Sequence, residues 1–218
     1  MSNDMLDLGA SWLDRYVREI LAEALWVGME TGVVSGDGLN CPIGMCKDVS
    51  SSASVVGGKY PDQKTVALNE LSPEAIGAIA AQLTKTEAGN NRPLDNLIFV
   101  VNPKTYLTKV MPATTNFVQG KWVNDVMPIP CTIIQSCAVP DDRAIFGLGK
   151  RYFMGLGMAK GGKLEFDDSF KFLDDARTYK IKTYGNGKPL DSNAFRYLDI
   201  SKLKRFIPTV YTVTPSET

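Results

Sequence analysis

The chain has 218 residues, of which 44% are hydrophobic and 22% charged, a composition that suits one globular domain or two small ones packed together. Its 24 basic side chains balance its 24 acidic ones, which argues against a dedicated nucleic-acid binder and permits self-association. The sequence contains no histidine, so Ser-His-Asp and Cys-His catalysis are excluded and the commonest metal ligand is missing.

A long amphipathic helix is predicted over residues 5–31. Apolar residues recur there at steps of three and four, and charged side chains lie mainly between them. The recurring positions are Trp12 or Leu13, Tyr16, Val17, Ile20, Leu21, Ala24, Leu25 and Val27. Such a helix would be about 40 Å long, more than the core of this chain can cover, so we expect one end to contact something else. We expect positive φ angles at Gly32, Gly36 and Gly38 to end the helix and reverse the chain.

The next part of the chain predicts a loop, a helix and a buried strand. Residues 46–64, rich in Ser, Gly and Lys, are predicted to form an exposed loop. A second helix is predicted at 72–85, with Ser72 as its N-cap and Pro73 at its first position. Its buried stripe would consist of Ala75, Ile76, Ile79, Ala80 and Leu83. The apolar run 97–101 predicts a strand, and a short helix should follow at 103–110.

The second half of the chain predicts short strands. Residues 111–130 contain three prolines and show no clear period, which indicates irregular structure. Strands are predicted at 129–136, 144–146, 164–166 and 176–184, with Gly-rich links at 147–149 and 155–162, a hairpin turn at Asn186-Gly187 and an extended tail at 208–218. Short strands mixed with separate helices, without regular βαβ alternation, predict an α+β fold.

One segment resembles a phosphate-binding loop. Residues 157–163 match G-x4-G-K, but Leu164 stands where a Ser or Thr hydroxyl would ligate magnesium. The residues that follow favour a strand where the motif requires a helix. A plain turn is the preferred interpretation. The glycines at 147–149 and 155–157 likewise lack the helix that a dinucleotide fingerprint needs.

The cysteines could form an all-cysteine zinc site, but their C-x4-C and C-x5-C spacings favour free thiols in a reducing cytosol. They are Cys41, Cys46, Cys131 and Cys137. No signal peptide or apolar run of membrane length is recognisable, so the sequence predicts a protein that is made and soluble in the cytoplasm. We assign no catalytic, cofactor-binding or metal-binding residue.

Charged and aromatic groups allow two interpretations each. Acidic pairs at 141–142, 167–168 and 174–175 could suggest cation sites, but neighbours on a strand point to opposite faces, which favours solvated turns. A basic cluster near the end of the chain is too short for a nucleic-acid patch and favours a solvated or subunit-contacting face; it consists of Lys202, Lys204 and Arg205. The tryptophans are predicted to be anchors in the core or in an interface; they are Trp12, Trp26 and Trp122.

Taken in order, these elements resemble the C-terminal part of a tailed-phage or prophage major capsid protein of the Hong Kong 97-type fold. The long helix that runs into Gly36-Asp-Gly38 and Pro42-Ile-Gly44 is similar to the family's helix with its Gly-Asp-Gly and Pro-x-Gly turn. The segment Phe99-Val-Val-Asn-Pro-Lys-Thr-Tyr106 is similar to the strand, Asn-Pro step and short helix of the family's axial domain. A closing pattern in which a two-stranded β segment ends in an Ala-Phe step is similar to Ala144-Ile-Phe-Gly147, Phe166, Arg177 and Asn193-Ala-Phe195-Arg-Tyr-Leu198.

The chain departs from the family pattern in two places. Gly147-Leu-Gly-Lys150 lacks the acidic residue that many members carry after the first glycine. The N-terminal arm and extended loop, which clasp neighbouring subunits in the family, have no counterpart before the long helix. The chain is therefore expected to be a truncated or processed form, which puts its assembly by itself in doubt. No asparagine is assigned to the lysine–asparagine cross-links of some relatives.

The resemblance implies a structural protein without an active site, a self-assembling subunit of an icosahedral phage or prophage shell. The implied α+β architecture has a peripheral-domain spine helix and turn at 1–60, an axial domain at 61–160, and peripheral strands with a C-terminal tail at 161–218. The implied partners are other copies, in pentamers and hexamers, and possible scaffold, protease or portal proteins. The shell would enclose DNA without reading its sequence and would bind no membrane. The implied location is the virion, after synthesis in the bacterial host cytoplasm.

Three alternatives remain open. An encapsulin-like nanocompartment would use the same fold to enclose protein cargo. A nucleotide- or metal-dependent cytosolic enzyme would rest on residues 157–163 and the aspartate pairs. A small cytosolic binding module would be a monomer whose long helix has its apolar face covered internally.

Overall fold

The computed structural model describes the backbone of residues 3–157, 163–174 and 176–206. Side chains are described from Trp12 onwards within these ranges, except at positions 14, 118, 163, 168, 171, 172 and 176. The predicted tail at 208–218 and residues 158–162 of the predicted glycine-rich link at 155–162 lie outside the described residues.

The first element is the helix α1, Asn3–Ser35, which confirms the long predicted helix and extends it at both ends. Its carboxyl end enters a tight turn in which the Gly44 amide donates to the Gly36 carbonyl over 2.8 Å. Residues 46–64 form the predicted loop, which contains neither helix nor strand and is closed by a bridge between Lys47 and Asp62.

A five-stranded mixed sheet forms the centre of the fold. Its strands are β1 Val66–Ala67, β2 Leu97–Val101, β5 Thr132–Gln135, β6 Arg143–Leu148 and β11 Phe195–Asp199, in the spatial order β1-β11-β6-β2-β5. β2 pairs in parallel with β5 and antiparallel with β6. All five residues of β2 are buried, as its continuous apolar run predicts for a strand covered on both faces.

Helices cover one face of this sheet. The helix α2, Pro73–Leu83, begins as predicted, with the Ser72 hydroxyl accepting from the Ala75 amide over 3.2 Å. Its predicted stripe is buried except for Ala75, which is half-buried. The stripe packs with Phe99, Phe146 and Leu198 of the sheet in the larger of two apolar clusters. The smaller cluster lies on the other sheet face and includes Ile98, Val100 and Phe195 with Val34 from the end of α1.

The helix predicted at 103–110 is longer than expected and irregular. It consists of α3, Pro103–Thr105, a π-helical turn, Tyr106–Val110, and α4, Met111–Thr114. The prediction of irregular structure over 111–130 holds for residues 124–130 but is wrong before them, because β3, Asn116–Val118, and β4, Lys121–Val123, follow α4 as an antiparallel hairpin. Gln119 and Gly120 both have positive φ, which allows the tight two-residue turn.

Two further pairs of strands lie outside the central sheet. β7, Tyr152–Leu156, pairs with β10, Gly185–Pro189, and β8, Lys163–Lys171, pairs with β9, Ala176–Lys182. The predicted hairpin turn at Asn186-Gly187 is therefore wrong, because both residues pair with β7. The predicted glycine links are also wrong in part: Gly147 belongs to β6 and Gly155 to β7. Glycines there permit close strand contacts rather than turns, since a Cβ on Gly147 would lie 2.4 Å from the Ala194 carbonyl oxygen.

Separate helices and a mixed sheet confirm the predicted α+β class. Among the described residues, no helix combines the length and apolarity needed to cross a membrane.

Candidate functional site

The residues considered for nucleotide or metal chemistry do not form a site in the described part of the chain. No group of three or more Cys, Asp or Glu side chains is placed to hold a metal ion there. At the phosphate-loop-like segment, the Gly157 amide donates to the Tyr184 carbonyl, and Leu164 lies in β8 rather than at the start of a helix. This agrees with the prediction of a strand after the loop.

The acidic pair at 141–142 contacts lysines. Asp141 pairs with Lys104 over 2.6 Å and Asp142 with Lys109 over 2.5 Å. In the second pair, the Asp167 carboxylate accepts from the amide and hydroxyl of Ser169 within the same strand. The side chain of Asp168 and all of Asp175 lie outside the described residues. The contacts of Asp141 and Asp142 are those of surface carboxylates, whereas Asp167 lies in a strand and not in the predicted turn.

The four cysteines are free, as predicted, and lie in different surroundings. Burial raises the pKa of Cys46 and of Cys131 to about 11, so both are protonated thiols at neutral pH. The Cys41 thiol contacts the Asp37 carboxylate over 3.2 Å, and Cys137 is exposed.

The turn after α1 is held by one carboxylate and by close backbone packing. Asp37 accepts from the Leu39 amide over 3.0 Å and pairs with Lys59 over 3.1 Å, and its own carbonyl accepts from Tyr60. Of the three glycines expected to have positive φ, only Gly38 has it, at 88°, so that prediction is wrong for Gly32 and Gly36. Position 36 requires glycine for a steric reason instead, because a Cβ there would lie 2.2 Å from the Pro42 carbonyl oxygen.

Asp37 should make the stability of this turn depend on pH. The Leu39 amide, then the Cys41 thiol and Lys59, lower its pKa from 3.8 to about 2. A lowered pKa stabilises the fold above the ordinary pKa, and this contribution is lost as pH falls from about 4 to about 2.

We expect Asp37→Asn to be less stable than the native chain at pH 7 and to approach it at pH 2, measured by urea unfolding across that range. Asp141→Asn, which removes an exposed ion pair, should change stability little at any pH. An equal deficit of Asp37→Asn at pH 7 and pH 2 would contradict the assignment.

The helix α1 carries apolar residues on two sides, and the described chain covers only one. Leu13 is buried, and Val17, Leu21 and Leu25, at successive four-residue steps, are half-buried on the side facing the rest of the chain. The other side exposes Trp12, Tyr16, Ile20, Trp26 and Val27, each by 45% or more. A helix with apolar residues all round is usually buried on all sides. The binding-module alternative requires internal coverage of this helix, and the described residues leave its outer face uncovered.

Two hairpins expose further apolar side chains. At the end of the β8–β9 hairpin, Phe170 is 76% exposed and Leu173 is 98% exposed. On the β3–β4 hairpin, the rings of Phe117 and Trp122 lie 4.9 Å apart and both face solvent. Phe117, Phe170 and Leu173 were not identified as surface residues from the sequence, because apolar residues in short strands ordinarily indicate a core.

The three tryptophans are all exposed, by 54% to 69%, so the prediction that they could be anchors in the core is wrong. The other predicted role, as anchors in an interface, stays a prediction. The outer face of α1, the β8–β9 end and the β3–β4 hairpin each group several exposed apolar side chains, and grouped exposure of this kind marks interaction surfaces more often than single exposed residues do. The arrangement is therefore suited to association with other protein surfaces.

Comparison with known proteins gives similarity at the level of structure. No protein-family model and no curated protein matches the chain. The capsid of the native GTA particle matches with a TM-score of 0.60 and 17% identity, over 91% of this chain and 69% of that chain. The holo-SrpI encapsulin complex from Synechococcus elongatus PCC 7942 matches with a TM-score of 0.59 and 13% identity, over 97% of this chain and 74% of that chain. A Gordonia phage Cozz structure matches with a TM-score of 0.53 and 19% identity, over 90% and 66%.

Proposed function

We propose, on the premise that this chain has the fold of phage-type capsid shell subunits, that it is the major capsid protein of a bacteriophage or prophage. The observation that carries the proposal is the fold similarity over 91% of the chain to the capsid of a GTA particle. The exposed apolar surfaces support it, because a shell subunit must bury surface against several neighbours at once.

The architecture proposed for the subunit is the Hong Kong 97 type. In it, α1 is the spine helix of a peripheral domain at 1–60, residues 61–160 form the axial domain, and residues 161–218 return to the peripheral strands. The packing of β9 on α1 supports the last assignment. The third range also contributes β11 to the central sheet, so it would join both domains.

The role proposed is structural, not enzymatic. The subunit would assemble with other copies into pentamers and hexamers of a virion, with scaffold, protease or portal proteins as further partners. A formal net charge of zero suits a shell that encloses DNA without binding a particular sequence.

An encapsulin-like nanocompartment is the second candidate. It is favoured by the match to the SrpI encapsulin complex, which covers 97% of this chain. The two candidates share the fold and differ in what the shell encloses.

Electron microscopy of the protein produced from its natural gene tests the proposal. We expect closed icosahedral shells in negative stain, and nuclease-resistant DNA inside shells recovered from the native host. Shells that contain a defined protein and no DNA would favour the encapsulin candidate over the phage capsid. A monodisperse monomer at high concentration would contradict both.

A further inference from the structure

The pair Asn186-Gly187 is the only Asn-Gly step in the sequence, and it lies in β10 rather than in a turn. Asparagine is a thermolabile residue, and its side-chain amide is lost most readily before glycine, which has no side chain to shield its backbone nitrogen. We propose that Asn186 is a site of spontaneous deamidation, in which the Gly187 backbone nitrogen displaces the side-chain amide. This inference does not depend on the proposed function.

The side chain of Asn186 lies against the group that would attack it. It is exposed to solvent, and its Oδ1 accepts from the Gly187 amide over 2.8 Å. The side-chain carbonyl is therefore folded back onto the next peptide group of the chain. Exposure to solvent gives the reaction its water and lets the ammonia leave.

The Gly187 amide is not part of the ladder between β7 and β10. In an antiparallel pair, the amide and carbonyl of one residue point to the same side, and successive residues alternate. The Gly187 carbonyl accepts from the Ile43 amide over 2.8 Å, so this residue faces the turn after α1 and not β7. The Tyr184 carbonyl and the Leu190 amide, which bond to the chain at the two ends of β7, agree with this alternation. No ladder bond therefore blocks the attacking nitrogen.

The reaction needs water and no other reactant. The Gly187 nitrogen gives its proton to hydroxide and forms a bond to Cγ of Asn186. The Cγ–Nδ2 bond breaks, and Nδ2 takes a proton from water and leaves as ammonia, which restores the hydroxide. The product is a five-membered succinimide ring. Water then opens one of its two carbonyls, which yields aspartate or isoaspartate at position 186, without oxidation or reduction.

Closure of this ring requires the backbone of Asn186 to leave its extended conformation. The amide and carbonyl of Asn186 point toward β7, so β10 must first open locally. The sheet formed by β7 and β10 has two strands, and an isolated two-stranded sheet is only marginally stable in water. We therefore expect local opening to be more frequent here than in the five-stranded sheet.

Isoaspartate at position 186 would weaken the contact between β10 and the turn after α1. It directs the main chain through the former side chain, which adds one carbon to the backbone and shifts the rest of β10 against β7. The Gly187 carbonyl would then no longer meet the Ile43 amide. The bond from the Tyr152 hydroxyl to the Ile43 carbonyl, over 3.0 Å, would remain. Aspartate would add the same charge without lengthening the backbone.

Incubation of the folded full-length chain at mildly alkaline pH tests the site. Peptide mapping by mass spectrometry follows the loss of the amide, and enzymatic carboxyl methylation detects isoaspartate. We expect the peptide with Asn186 to gain about 1 Da, the difference between an amide and an acid. The reference is Asn96, which is also exposed but precedes Leu97, and its peptide should gain mass several-fold more slowly. Equal rates at the two positions, or a gain at Asn186 only in urea, would overturn the proposal.

Two variants at the same position complete the test. Asn186→Gln would have to close a larger ring, so it should lose most of the isoaspartate that the native chain accumulates. Isoaspartate at the native level in Asn186→Gln would place the reaction elsewhere and overturn the proposal.

Asn186→Asp separates charge from backbone lengthening. We expect the aged native chain to unfold at a lower urea concentration than the fresh chain, and fresh Asn186→Asp to unfold close to the fresh native chain. An equal loss in fresh Asn186→Asp would show that charge alone weakens the strand pair, and would overturn the effect assigned to isoaspartate.

Discussion

Replacing Arg92 with methionine is expected to destabilise the fold by about 3–5 kcal/mol, the range for breaking a buried ion pair from one side. The Arg92 side chain is 4% exposed and pairs with Asp191 over 2.5 Å. Its other donors bind the carbonyl of Leu83, at the end of α2, over 2.6 Å and that of Asn193 over 2.7 Å. Arg92→Met would remove the guanidinium donors from the two carbonyls and from the Asp191 carboxylate, which would keep only the Asn193 amide as a donor among the described residues. Urea unfolding measures the change.

The matched control is an ion pair at the surface. Lys150→Met removes the pair with Asp95, in which both side chains are about two-thirds exposed, and should cost less than about 1 kcal/mol. Adding Asp191→Asn to Arg92→Met should recover part of the loss, because it removes a largely buried negative charge that has lost its ion-pair partner. Equal losses for Arg92→Met and Lys150→Met would show that the buried position of Arg92 does not matter.

Gly36→Ala is expected to destabilise the turn after α1 by about 3 kcal/mol, the upper range for overpacking. The added Cβ would lie 2.2 Å from the Pro42 carbonyl oxygen and 2.5 Å from that of Gly32. Both are backbone atoms, so relief requires the turn itself to open, and the hydrogen bond from Gly44 to Gly36 would be lost. Thermal unfolding by circular dichroism checks the loss.

Gly28→Ala is the control for this change. Gly28 lies within α1, and a Cβ there would meet nothing within 4 Å. Alanine should therefore stabilise the helix, by up to about 1 kcal/mol. A loss of stability in Gly28→Ala equal to that in Gly36→Ala would contradict this explanation, because it would show that an added methyl group destabilises the chain even where a Cβ meets nothing.

The sequence predicted those elements whose structure is determined by their own residues, without distant partners. Ser72 and Pro73 begin α2 as their capping chemistry requires, and the run Leu97–Val101 is a buried strand. The strands that were missed depend on distant partners. Gly185–Pro189 has the composition of a turn and becomes a strand only because β7 lies beside it, more than 25 residues earlier.

The candidate surfaces were less predictable than the fold. The apolar spacing of α1 marks two sides as suitable for burial, and only the packing of the other elements decides which side stays open. Leu173 could not be assigned to a surface, because an apolar residue that follows Phe172 and precedes two aspartates has no pattern that separates a core strand from an exposed end. Arg92 could not be recognised as buried, since its partner Asp191 lies far along the chain.

The order of strands in the central sheet bears on when a subunit can fold during translation. β11, near residue 195, lies between β1 and β6, so the ribosome must make almost all of the described chain before the sheet can close. Until then β6 keeps an unpaired edge and the places of Phe195 and Leu198 in the two apolar clusters are empty. We therefore expect that two nascent chains on neighbouring ribosomes cannot bind each other through folded subunit surfaces, because those surfaces have not yet formed. Synthesis of β11 would thus precede association.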